Sequence, residues 1–212
     1  MITMPASLEE YENVKVLRGP NIQPIPSAKT LENELTLPVS LKVGDNITTD
    51  HIMPAGASIL PYRSNLPKLA TFCFVGVDET FPERAKALQE SIIIGGENYG
   101  QGSSREHAAL APLYLGVRVV IAKSFARIHK ANLVNAGILP LEFSTSADYD
   151  ILNQNDIIEF SDIFNGLENG KITAQSKTTN KQIVLSVNLS KRQIDYIKAG
   201  GLLNYTKKQT EI

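Results

Sequence analysis

Ser103, Ser104 and Arg105 stand side by side in "GGENYGQGSSREHAALAP", and four of the eight residues before them are glycine. Two hydroxyls and a guanidinium in one tripeptide suit an anion. Arginine presents a flat fork that bonds a carboxylate or phosphate through two oxygens. The small apolar residues that follow, from Ala108 to Pro112, read as the body of a helix. A helix start offers free N–H groups and the positive end of the dipole, which also favour an anion. The glycines let the backbone come close to whatever is bound. Ser103 and Glu106 have capping-box spacing. Capping alone leaves Ser104, Arg105 and the glycines without a reason.

Other chemistries fit these residues poorly. Gly100-Gln101-Gly102 lacks the third glycine of a dinucleotide fingerprint, and Gln101 stands where a Walker loop needs lysine. A G-x-S-x-G nucleophile elbow is absent. Ser103, His107 and Asp50 could be gathered into a hydrolase set, but His107 lies one turn beyond Ser103 and points along the expected helix. A second polar group is "TTDHIMPAG", Thr48 to Gly56. Asp50 and His51 could ligate a metal. Adjacent ligands with no further His or Cys cluster favour a plain Asx turn instead. Arg63 in "LPYRSN" reads on its own as a surface charge, and His129 in "FARIHKAN" as part of a helix face. Cys73 is the single cysteine and sits in "TFCFVGV". It reads as a buried, inert thiol, unable alone to hold zinc or an iron–sulfur cluster.

The elements that must position these residues alternate. "SIIIG" (Ser91–Gly95), "VRVVIA" (Val117–Ala122) and "ILPLEF" (Ile138–Phe143) read as buried strands. "SREHAALAPLYLG", about three turns, and "SFARIHKANLVNAG" read as the helices between them. This pattern predicts an α/β fold with parallel β-α-β units. The glycine loop then sits at the carboxyl end of a strand, where such sheets bind ligands. Upstream, Leu35–Val43 reads as a strand, Gly44–Asn65 as mostly loop, and a short helix begins at Glu83. Downstream come a helical turn and a strand, a hairpin turning near Thr179–Asn180, and a final helix. That helix carries Ser190 and Gln193 at capping-box spacing. Residues 1–30 contain four prolines and read as an extended linker or arm, with the domain over 31–212.

Composition narrows the function classes. At 212 residues the chain can bury a core without staples. A net charge of −1 and no basic run argue against nucleic acid as a partner. No apolar run approaches the roughly 20 residues that cross a bilayer. The N-terminus is neither a secretory nor a transit segment, so a cytoplasmic location is expected.

The long motifs "RGPNIQPIP", "TTDHIMPAG", "GGENYGQGSSREHAALAP" and "KSFARIHKANLVNAGILPL" together resemble the C-terminal swivel domain of the aconitase family, from about Val14 to Tyr205. The small subunit of isopropylmalate isomerase shares "GSSREHA" and "SFARI". The resemblance implies a swivelling β/β/α domain with a mixed, partly parallel sheet flanked by helices. It implies a dehydration and rehydration that interconverts citrate and isocitrate through cis-aconitate. It assigns Ser103 as the base and Arg63, Ser104 and Arg105 as substrate-binding residues. Asp50 and His51 become supporting residues. Between Asp50 and Arg63 the chain is one residue longer than the family pattern, so Arg84 stands as the alternative second arginine. The resemblance also implies a [4Fe–4S] cluster ligated outside this chain, none bound by the chain itself, and cluster-bearing domains as partner. The chain is then expected to be inactive alone. The alternatives are an isopropylmalate-type small subunit, or an RNA- or anion-binding module.

Overall fold

Runs of β-branched and other apolar residues make the central strands. In chain order they are β1 (Leu35–Lys42), β2 (Ser91–Gly95), β3 (Val117–Ala122), β4 (Leu139–Phe143), β5 (Ile157–Phe160), β6 (Lys171–Ser176) and β7 (Gln182–Ser186). The computed structural model describes Ser7 and residues 17–210. Half of the expected arm, and the start of the resemblance at Val14, lie outside the described residues. β1 to β4 run side by side and parallel. β4 pairs antiparallel with β7, β7 with β6, β6 with β5, and β5 returns to β1. The mixed, partly parallel sheet is as expected, and it closes into a barrel.

Side chains alternate between the two faces of each strand. One set, including Leu37, Val39, Ile92, Ile94, Val119, Ile121, Leu141, Phe160 and Leu185, forms a single cluster shared by all seven strands. This set fills the barrel. The other set, Ile93, Val120 and Ala122 among them, packs against the helices with Phe74, Phe81 and Leu133. The register of β1 shifts between Val39 and Leu41. Leu41 thereby joins the outer cluster instead of the inner one.

The helices are α1 (Thr49–Ile52), α2 (Leu66–Leu69), α3 (Phe81–Leu88), α4 (His107–Tyr114), α5 (Arg127–Ala136), α6 (Ile163–Asn169), α7 (Lys191–Ala199) and α8 (Leu202–Thr210). None of the described helices is long and apolar enough to cross a membrane. Gly44–Asn65 is mostly loop, as expected, with α1 and a 3₁₀ turn at Leu60–Tyr62 set within it. One sequence expectation falls here. The single terminal helix is two, because Gly200 and Gly201 both take positive φ and break it. The expected Ser190 capping box opens α7. Residues 17–30 form no helix or strand. The end of this stretch is fastened, with the Ala28 carbonyl accepting from Asn204 Nδ2 at 2.8 Å and the Thr30 carbonyl from Arg118 at 3.0 Å.

Candidate functional site

Because β1, β2 and β3 are parallel, the segments leaving them emerge on one rim. There the glycine loop is clamped on both sides. The Gly100 N–H donates to the Ile47 carbonyl at 2.7 Å, and the Thr49 N–H to the Gln101 carbonyl at 2.8 Å. On the other flank Tyr99 N–H bonds the Ser124 carbonyl and Ala126 N–H bonds the Tyr99 carbonyl, each at 2.9 Å. Two glycines are required by this close approach. A Cβ on Gly96 would lie 2.0 Å from Asp45 Oδ1. At Gly100 the φ is +82° and a Cβ would lie 2.1 Å from His129 Cδ2.

Past Gly102 the run is held differently. Ser103 and Ser104 are exposed. Arg105 crosses to α1, where Nη1 donates to Asp50 Oδ1 at 2.5 Å and to the Met53 carbonyl at 3.2 Å. α1 itself is fixed by a capping box. Thr48 Oγ1 accepts from the His51 N–H at 3.0 Å, and His51 Nδ1 accepts from the Thr48 N–H at 3.1 Å. His51 therefore holds the one-turn helix that carries Asp50. The expected Asx turn is this capped helix.

The capping box expected at Ser103 and Glu106 is absent. Glu106 itself is the N-cap of α4 and has no side-chain cap bond. The ties of Arg105 to α1 keep residues 103–105 out of helical conformation, so the chain turns helical only at Glu106. The dipole of α4 is thus aimed at Ser104–Glu106, and the Ser103 hydroxyl is not spent on capping. The hydrolase arrangement also fails. His107 Nε2 lies 2.9 Å from the Arg63 carbonyl and is engaged there.

Two cavities meet at Ser104 and Arg105, which line both. The first, about 170 Å³, gathers Arg63, Ser104 and Arg105 against an apolar wall of Met53, Ile59 and Leu69. The second, about 200 Å³, holds Ser103 with Thr49, Arg127 and His129. Arg63 and Ser103 do not share a cavity. Arg84 lines neither cavity, because its guanidinium is engaged by the Ser40 carbonyl, Thr80 and Asp78. Thr49 and Arg127 were not singled out from the sequence. The "SFARI" element was the available signal for Arg127, but its neighbour across the rim is set only by the fold.

Among the described residues no group of three His, Cys, Asp or Glu could hold a metal. Cys73 is fully buried, and burial pushes its thiol well above the ordinary range.

Comparison with known proteins places this geometry in context. Residues 75–146 match the aconitase C-terminal domain. The methanogen homoaconitase small subunit of Methanocaldococcus jannaschii is 38% identical over 170 residues, which cover 79% of this chain and 89% of that one. The mitochondrial aconitate hydratase of Gracilaria gracilis is 36% identical over 196 residues, 81% of this chain. The chain spans about a quarter of the length of that enzyme, 25%. The crystal structure of 3-isopropylmalate dehydratase from Methanocaldococcus jannaschii superposes with a TM-score of 0.69 at 34% identity, covering 84% of this chain and 96% of that chain.

Proposed function

The chain belongs to the aconitase family, and from that premise we propose that it is the swivel domain of a hydro-lyase that interconverts citrate and isocitrate through cis-aconitate. The observation that carries this reading is the convergence of Arg63, Ser104 and Arg105 on one cavity, with Ser103 next to them. Dehydration removes a proton from the carbon beside a carboxylate and a hydroxyl from its neighbour. Ser103 is the proposed base. A hydroxyl serves as base only if its alkoxide is stabilised. Arg105, two residues on, and the free amides at the start of α4 are the positive groups nearest in the chain. Arg63, Ser104 and Arg105 bind substrate carboxylate, and Asp50 holds Arg105 in place at 2.5 Å. A [4Fe–4S] cluster, ligated by domains outside this chain, would supply Lewis-acid assistance to the departing hydroxyl.

The test is citrate–isocitrate interconversion under anaerobic, iron-replete conditions. The chain alone should give no turnover. With cluster-bearing domains added, turnover should appear. Robust turnover by the chain alone sinks the proposal.

A second reading has its own support. The chain covers 89% of a homoaconitase small subunit and 96% of a 3-isopropylmalate dehydratase chain. Read that way, it is the small subunit of a related 2-hydroxy-acid dehydratase with a separate large subunit. Profiling citrate, homocitrate and isopropylmalate in the same assay separates the two, because each reading requires a different substrate to be consumed fastest.

A further inference from the structure

The second cavity carries more than the base. Burial, charge and helix geometry in its walls all point to a bound anion. His129 and Thr49 are each only 2% exposed. Both ring nitrogens of His129 and the Oγ1 of Thr49 lack a hydrogen-bond partner among the described residues. Native interiors pair nearly all such atoms, because an unpaired one is costly. A phenylalanine or leucine could fill the space beside Tyr99 and Gly100 at no such cost, whereas histidine keeps a donor and an acceptor there. The charged residues lining the cavity are Arg105 and Arg127, with no carboxylate among them. Among the described residues Arg127 makes no ion pair. Arg127 also opens α5, a helix of 10 residues with no side-chain cap. Its first amides and positive dipole end therefore remain available.

We propose that this cavity is a second anion subsite. It holds one carboxylate- or phosphate-sized group between the Arg127 guanidinium, the first amides of α5, the Thr49 hydroxyl and the His129 ring. Burial holds His129 down to about 4, so the ring is neutral at pH 7 and acts by hydrogen bonding. With the Arg63 cavity on the far side of Ser104 and Arg105, the site has two basic lobes and suits a molecule with an anionic group at each end. The inference rests on the anion-binding reading of the Ser103–Arg105 run and not on the reaction. The anion has two possible sources, a far carboxylate of the substrate or a free inorganic anion.

The three histidines of the chain give separate reporters. His129 lines the second cavity, His107 the first, and His51 lies in the α1 capping box. Imidazole resonances of the full chain are followed at pH 7 during titration with tricarballylate and, separately, inorganic phosphate. His129 should shift and His51 should not. A shift with tricarballylate alone assigns the subsite to a substrate carboxylate. A shift with phosphate as well shows that a free anion also enters. Arg127→Gln, at an exposed position, should weaken the His129 response at least tenfold, and Thr49→Val, which keeps the shape, severalfold. If neither anion moves His129, or Arg127→Gln leaves the affinity unchanged, the proposal is overturned. Anion binding at His129 without turnover in the assembled enzyme would sink the reaction and keep the subsite. Turnover with a silent His129 would do the reverse.

Discussion

Ser103 and Arg105 make different demands on a mutant. Ser103→Ala removes the proposed base and leaves both cavity arginines. In the assembled enzyme kcat should fall by orders of magnitude while KM stays within a few-fold. Arg105→Ala removes a carboxylate contact and should lower kcat and raise KM together. Near-normal turnover of Ser103→Ala would show the base to be another group. His129 makes a prediction about stability. Its folded pKa, about 4, lies below the ordinary 6.5 because burial disfavours the charged ring. Between those values the unfolded chain binds a proton that the folded chain does not. Stability that is complete above about 6.5 is therefore lost as pH falls toward 4, on the order of 3 kcal/mol if the ring stays buried. Urea unfolding at pH 7 and pH 5 should show this slope in the wild type and a flatter one in His129→Phe; equal slopes would remove the assignment. At this scale the proposed anion-binding role of Ser104 and Arg105 is legible, since residue type and adjacency suggest it, and the structure places both at one cavity. The meeting of Thr49 with Arg127 and His129 was not, because a chain crossing brings α1 to the start of α5.

The rim loop and the caps are tested by substitutions of unequal cost. Ser190→Ala loses the capping-box oxygen of α7 and should cost about 1 kcal/mol. Gly100→Ala must place a Cβ at positive φ against the His129 ring, and should cost more, at least ~2 kcal/mol. Thermal unfolding of the two variants ranks them, and the reverse order would mean that the loop relaxes freely. Most elements were legible in the same way. β2 and β3 are short, mostly apolar runs and wholly buried, and α5 ends at Gly137 as the sequence indicates. The short pieces were harder. α1 has four residues, and its capping partner is a histidine. α6 contains Gly166 beside Asn165 and gives little periodic signal. The false capping box at Ser103 shows the opposite error. Spacing alone was right, but the tie from Arg105 to Asp50 outcompeted it.

At the scale of the molecule, the site faces outward from one rim and its catalytic complement is proposed to lie in another domain. Turnover in a reconstituted mixture should therefore track the concentration of complex and saturate in either component. A rate linear in this chain alone, with the partner absent, would contradict that. Barrel closure was not legible, because the β1–β5 pairing joins segments more than a hundred residues apart and no local pattern encodes it. That closure has a further consequence. Among the described residues the sheet returns on itself and presents no outer strand with open rows of N–H and C=O groups, so it offers no edge for a second chain to extend. Association with a partner must then proceed through side chains and loops. Substitutions on the rim, and not competing extended peptides, are the means by which such a complex would come apart.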